Sequence, residues 1–494
     1  MRLSELLASA GIALGNGNDP LVTGITDDSR RVKQGDLFVA VRGEKSDGRE
    51  FYGAAVRSGA VALAGHGQAP GFSGVPFVAL ADDRSAASRL AAAFHGRPAE
   101  RLKMFGVTGT NGKTTSVYIL EAMLGGAMLG CGVLGTIRYA TGARTMDASL
   151  TTPGPVLLQE MLAEMVDAGL KAGAMEVSSH ALAQRRVDGV HFDAALVTNV
   201  TQDHFDYHGD FAGYLEAKLA IVDRLKPGGA LIINADDPSS HAFAARAPAH
   251  ARVMRYALSS PGFADFRAHV RAMDQDGTLL RIDTPEGPID TRTRLFGDHN
   301  VANLLGAAAA AWSAGIPLAA INSGLAQLAR VPGRLERVDV GADLTVVVDY
   351  AHTPDAVEKA LTTLRPLVRG RLSIVFGCGG DRDKTKRPLM GRAAERLADR
   401  VYVTSDNPRS ERAEAIAASI VSGMEKPAAA RVVLDRKAAI RAALDDAARG
   451  DWVLIAGKGH ESYQITAEGK LPFSDQKVAL EWGAERNRKE AHAS

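Results

Sequence analysis

The segment Gly109-Thr110-Asn111-Gly112-Lys113-Thr114-Thr115 has residue types and spacing that imply chemistry directly. Its two glycines allow a tight backbone turn with amide N–H groups pointing inward. The apolar run 103–107 before it reads as a strand, and the residues after it read as a helix to about Leu124. The partial positive end of that helix therefore faces whatever the loop holds. Lys113 offers a point charge to terminal phosphates, and Thr114 or Thr115 a hydroxyl to Mg²⁺. The segment is a shortened relative of the phosphate-binding loop and predicts a nucleotide site.

Two further clusters follow apolar runs. Glu176 ends the run 172–177, and in an open α/β sheet the carboxyl ends of the strands face the ligand, so a carboxylate there is placed to hold Mg²⁺. Asn199, Asp203, His204, Asp206 and His208 crowd the end of the run 194–200. No His-Glu-x-x-His accompanies the two histidines, which argues against a zinc protease. One histidine is a candidate metal ligand, and His208 is the better candidate for a structural role. In the last third of the chain, 349–352, 377–382, 406–409 and 457–461 each follow an apolar strand. Four polar clusters on one sheet edge make a ligand edge. It carries Arg382, Arg409, Asp406 and Glu461, a mixture of signs suited to a zwitterion.

The elements that must position these residues fall into three blocks, as expected for 494 residues at roughly 100–200 per domain. Residues 1–98 form a smaller α/β block, with β-like runs at 36–41, 61–64 and 76–80 and a helix at 82–95. Residues 99–329 alternate strands (103–107, 172–177, 194–200, 230–234) with helices, one of them at 210–225. Residues 330–494 repeat the rhythm, with strands at 344–348, 372–376, 400–404, 431–434 and 452–456. Strands separated by helices predict parallel sheets. The fold class is thus α/β, with a central P-loop domain of parallel sheet and a Rossmann-like C-terminal domain. The formal net charge of +1 gives no basic field for nucleic acid. No run is long and apolar enough to insert in a membrane. Two cysteines far apart fit a reducing, cytoplasmic setting, and a monomer is expected.

Gly109–Thr115, Glu176 with Ser178-Ser179-His180, the 199–208 segment and Asp349-Tyr350-Ala351-His352-Thr353-Pro354 occur in an order that resembles the Mur ligase family along the whole chain. The resemblance implies an ATP-dependent ligase with Mg²⁺ as cofactor, in which an acyl phosphate is formed on a carboxylate and displaced by an amine. It implies that Gly109, Thr110, Asn111, Gly112, Lys113, Thr114, Thr115, Asn303, Arg334 and Asp349 border ATP. Thr114, Glu176 and His204 would be metal ligands. Lys218 would join them if carbamylated, and Lys113, Lys218 and His204 would serve catalysis. Residues 28–30 and 35–49 are similar to the N-terminal block of the family members that use a UDP-muramyl dipeptide. Ser29, Glu44, Lys45 and Ser46 are thereby expected at the UDP portion, and Thr151, Thr152, Ser178, Gln184 and Arg186 at the peptide. Asp406-Asn407-Pro408-Arg409 is similar to the signature of members that add meso-diaminopimelate, with Arg382, Gly457 and Glu461 as further contacts. Alternatives are a sibling ligase adding L-lysine, a folylpolyglutamate-type ligase, and a P-loop ATPase acting as a switch.

Overall fold

The computed structural model describes residues 1–13, 18–43, 46–260 and 262–493, the side chains of 489–493 excepted. The chain divides into two compact units. One comprises residues 1–269, 281–291 and 302–327, and the other 270–280, 292–301 and 328–494.

The first unit begins with the helix Leu3–Ser9, whose Leu3, Leu6 and Leu7 are buried at helical spacing. They pack with Leu37, Val39, Ala62, Ala64 and Leu90. The strands Gly24–Thr26, Asp36–Val39, Ala62–Gly65 and Phe77–Ala79 pair in that order, all parallel. Asp82, accepting from Ser85 N, caps the helix Asp83–Phe94 that covers them.

A second sheet in this unit carries the phosphate loop. Its parallel strands lie in the order Arg252–Ala257, Leu225–Asn234, Phe192–Val197, Lys103–Thr108, Ala172–Glu176, Cys131–Leu134. Lys103–Thr108 is central, and its apolar side chains are buried as a two-faced parallel strand requires. Register decides function here: Thr108 lies opposite Val197 and Val107 opposite Glu176. The segments after all three strands therefore emerge level on one edge. The helix expected over 210–225 is shorter, Phe211–Leu219, and Leu225 already belongs to the following strand. A 3-10 turn, Val222–Arg224, lies between them, with Arg224 paired to Asp188 at 2.9 Å. Three strands at Phe266–Asp274, Gly277–Asp283 and Ile289–Thr293 were not expected from the sequence.

The second unit holds a sheet in the order Glu336–Val338, Thr345–Asp349, Trp452–Ala456, Leu372–Phe376, Arg400–Val403, Ala430–Val432. All neighbours are parallel except the first pair. Alternate residues feed opposite cores: Val347, Ile374 and Leu454 on one face, Val346, Val348, Val453 and Ile455 on the other. Asp349 lies opposite Ala456 and Phe376 opposite Val403, so the polar segments that follow share one edge.

Beneath that edge Arg436 and Asp475 form a salt bridge with both side chains fully buried. Nε and Nη2 of Arg436 each reach Asp475 at 2.7 Å, and Nη2 also donates to Ala456 O. Removing one partner strands the other charge in the interior. Asp475→Ala should cost about 3–5 kcal/mol of stability, read as a fall in the urea midpoint of this unit's unfolding.

Candidate active site

The loop Gly109–Gly112 is strapped to the neighbouring strand's extension. Thr110 N donates to Asn199 O (2.8 Å) and Asn111 N to Asn199 Oδ1 (3.0 Å). Thr198 Oγ1 donates to Asn111 O (2.6 Å), and Thr110 Oγ1 accepts from Thr201 N (2.9 Å). Gly112, at φ 87°, is the cap of the helix Lys113–Gly126. A Cβ there would fall 2.2 Å from Asn303 Oδ1, so both conformation and space require glycine. Gly112→Ala should therefore weaken nucleotide binding by about tenfold or more, from a backbone cost of roughly 1–2 kcal/mol, as measured by nucleotide titration.

Lys113 Nζ donates to Gly109 O and Thr110 O, each at 2.9 Å, and so stays at the loop. Lys218 lies on the helix Phe211–Leu219, whose cap Asp210 accepts from Gly213 N. It is 1% exposed, and its Nζ donates to the same Gly109 O at 2.8 Å. Burial, then the charge of Lys113, hold its amine well below the usual lysine range. Tyr214, whose ring lies 4.6 Å from Lys218 Nζ, brings its hydroxyl to 3.1 Å from Thr110 Oγ1, and burial pushes that hydroxyl up to about 12.

Glu176 is 1% exposed. Thr114 Oγ1, not Thr115, donates to its Oε1 at 2.9 Å. Thr136 adds its amide (2.8 Å) to Oε1 and its hydroxyl (3.0 Å) to Oε2, and that hydroxyl is 3.1 Å from Thr151 Oγ1. His204 has φ 53° and lies edge-on to His180 with ring centroids 4.8 Å apart. His208 Nε2 is 3.0 Å from Ser179 Oγ, in keeping with a structural role. Among the described residues no three His, Cys, Asp or Glu side chains converge as a metal cage. A hydroxyl beside one buried carboxylate is the sparse donor set that Mg²⁺ takes when phosphate oxygens and water complete its shell, so Thr114 and Glu176 fit that ion.

Next along the edge, Thr152 Oγ1 donates to Glu176 O (2.8 Å) and accepts from Ser178 N (3.0 Å), and Ser178 caps the helix Ser179–Ala183. Arg186 donates through Nη1 to Thr152 O and through Nε to Gln184 Oε1, both 2.9 Å. Ser29 is half-buried beside an Asp28–Arg30 pair. Ser46 is exposed, its carbonyl accepting from Gly43 N. Glu44 and Lys45 lie outside the described residues.

In the second unit, Asp349 accepts from Leu335 N (2.7 Å) and Ala351 N (2.8 Å), and burial holds its carboxyl above the usual range. The Arg334 guanidinium sits 4.9 Å from the centre of the Tyr350 ring. Asp406 and Asn407, each 6% exposed, follow the strand Arg400–Val403. Asn407 Nδ2 donates to Glu461 Oε2 (3.0 Å), and its Oδ1 accepts from Ile465 N (2.8 Å). Arg409, at φ 52° after Pro408, donates from Nη1 to Gly380 O (2.7 Å). Arg382 is exposed and donates from Nη1 to Asp381 O (3.1 Å). Gly457, at φ 113°, lies close enough to Asp406 that a Cβ would fall 2.7 Å from Oδ2.

Sequence reasoning singled out neither Thr136 nor Lys458. Thr136 could have been found, since it follows the apolar strand Cys131–Leu134 on the loop's own edge. Lys458 lies inside the 457–461 cluster, but nothing local marks a glycine-flanked lysine as buried, and it is 0% exposed.

Comparison with known proteins gives a consistent answer. Residues 107–311 match the Mur ligase middle domain, 333–459 the Mur ligase glutamate ligase domain, and 21–95 the Mur ligase family catalytic domain. The chain is 45% identical over 483 residues to the Gloeobacter violaceus UDP-N-acetylmuramoyl-L-alanyl-D-glutamate–2,6-diaminopimelate ligase, covering 97% of this chain and 98% of the relative. It is 43% identical to the Geobacillus thermodenitrificans protein of the same name, covering 97% and 98%. A solved structure bearing that name superimposes with a TM-score of 0.69 at 31% identity, over 94% of this chain and 95% of the other. No helix among the described residues is long and apolar enough to cross a membrane. On the strength of these full-length relatives, the chain belongs to the Mur ligase family.

Proposed function

We propose that this chain joins meso-2,6-diaminopimelate to the γ-carboxylate of the glutamate in UDP-N-acetylmuramoyl-L-alanyl-D-glutamate, using ATP, in peptidoglycan synthesis. The observation that carries the reading is the second unit's edge. The carboxylates of Asp406 and Glu461, the latter held by Asn407 Nδ2, stand beside the Arg409 fork, the mixture of charges a diamino, dicarboxylic zwitterion needs. The names of the relatives agree with it.

The γ-phosphoryl group of ATP passes to a carboxylate oxygen: the new O–P bond forms as the bond to ADP breaks. The amine then attacks the acyl carbon, the C–N bond forms, phosphate leaves with its oxygen, and the ammonium's protons are lost to the medium. The first step brings anions together. The loop amides of 109–112 and Lys113 offset that charge and fix the triphosphate. Asn303, Arg334 and Asp349 complete the nucleotide's surroundings. Thr114, Glu176 and His204, with Lys218 as a carbamate, would hold Mg²⁺, which when bound supplies further charge neutralisation. Ser29, Glu44, Lys45 and Ser46 take the UDP portion. Thr151, Thr152, Ser178, Gln184 and Arg186 orient the acceptor's peptide, Arg186 supplying positive charge while it ties Gln184 to Thr152. Arg382, Asp406–Arg409, Gly457 and Glu461 receive the incoming amino acid. Three domains, 1–98, 99–329 and 330–494, divide this labour in a cytoplasmic monomer.

The test is phosphate release and amide formation with each amino acid, with and without the UDP-linked acceptor. Turnover requiring both acceptor and diaminopimelate is expected. ATP hydrolysis indifferent to both would leave a nucleotide switch, and preference for lysine would move the chain to the sibling activity.

A further inference from the structure

The residue at the centre of the second unit's ligand edge is a lysine that the proposed reaction does not use. Lys458 is fully buried. Its Nζ donates to Asn407 Oδ1 (2.9 Å), Glu461 Oε2 (3.2 Å) and, at 3.5 Å, Asp406 Oδ1. The backbone drives it there. Gly457 and Gly459 flank it at φ 113° and 55°, and Glu461 N closes a turn on Lys458 O at 3.0 Å. The turn folds Glu461 back over the lysine, while Asn407 Nδ2 holds the same Oε2. The ring of Tyr463, centred 5.8 Å from Nζ, lies beside the group.

Asp406 and Glu461 are two carboxylates in one poorly solvated cluster. Lys458 Nζ reaches both of them, and the buried Arg436 guanidinium acts on both from beneath. We infer that Lys458 is a positioning and specificity-determining residue, whose buried ammonium ties Asp406, Asn407 and Glu461 together and aims Glu461 at the distal ammonium of the incoming diamino acid. Lys458 touches no reacting atom in this role and acts through its neighbours. The inference rests on the reading of this edge as the amino-acid site.

The test uses the full chain with ATP and the UDP-linked acceptor. Lys458→Met removes the charge at nearly constant length. The KM for diaminopimelate should rise about 10- to 100-fold, with a much smaller change in the KM for ATP, because Lys458 Nζ bonds to Asn407, Glu461 and Asp406. Lys458→Arg, which keeps the charge, should recover most of the loss, a rescue that a merely space-filling role would not give. If Lys458→Met no longer binds nucleotide, Lys458→Gln, which retains hydrogen-bonding capacity without the charge, replaces it in the same assay. A neutral variant with the wild-type KM for diaminopimelate overturns the inference, as does an Arg variant as poor as the neutral one. Wild-type protein indifferent to diaminopimelate would instead overturn the reading of the site, so the two failures are distinguishable.

Discussion

Lys218→Ala is expected to lose about 10²- to 10³-fold in turnover and to regain part of it when acetate is added. The reason lies in the environment of the amine. Lys218 Nζ and Lys113 Nζ donate to the same carbonyl, Gly109 O, at 2.8 and 2.9 Å. Two ammonium groups on one acceptor in a buried pocket repel each other, and Lys113, at the loop, is the one a triphosphate would keep charged. Burial and that neighbour hold the Lys218 amine well below its usual range. A neutral amine can add CO₂: its lone pair forms the N–C bond, a proton leaves, and a cation becomes a carboxylate. Such a carboxylate beside the phosphate loop supports magnesium and relieves the Lys113 repulsion together. Three measurements separate this from a plain cation. Wild-type activity should fall in CO₂-depleted buffer and return with bicarbonate. Lys218→Arg, which keeps the positive charge but cannot be carbamylated, should be as poor as the alanine variant. Acetate should help alanine and not arginine. An active arginine variant, indifferent to CO₂ and acetate, would show that the positive charge itself is what the site uses.

What could be read from the sequence was whatever depends on local chain order. The phosphate loop, Glu176, the 199–208 segment and the four clusters of the last block each follow an apolar strand. In a parallel sheet, that alone places each set on one edge of its own sheet, and in the first unit the registers Thr108–Val197 and Val107–Glu176 show the strands ending level. The choice between Thr114 and Thr115 was not legible, because neighbouring helical residues differ by rotation and only packing decides which hydroxyl meets Glu176. Lys458 was hidden for a related reason: lysines are rarely fully buried, and its burial depends on Asn407 and Glu461 arriving from separate segments. Arg436 and Asp475 escaped notice likewise, since a buried pair distant in sequence leaves no periodic trace. The strands between 266 and 293 mix charged and apolar residues, with exposed stretches such as 269–272, so period-two reading gave little purchase on them.

Arg409→Ala should raise the KM for diaminopimelate by about 10²-fold, leave the KM for ATP nearly unchanged, and narrow the preference for diaminopimelate over lysine. Arg409 is held from both sides. Its amide donates to Ile465 O at 3.1 Å, and its Nη1 reaches Gly380 O at 2.7 Å. That leaves the rest of a five-donor fork for a carboxylate. Lysine carries one carboxylate fewer than diaminopimelate, so with lysine bound a half-buried guanidinium would lose its anionic partner, which is why the site should reject it. Alanine is a fair probe of the side chain because Arg409 already occupies φ 52°, so the substitution adds no new left-handed strain beyond what the wild type bears. Arg409→Lys separates charge from shape: an ammonium offers a point charge without the planar fork, and should recover only part of the loss. If alanine weakened ATP and diaminopimelate equally, the guanidinium would be bracing Gly380 against the Asn407 turn and nothing more, and recognition of the second carboxylate would have to be sought at Arg382.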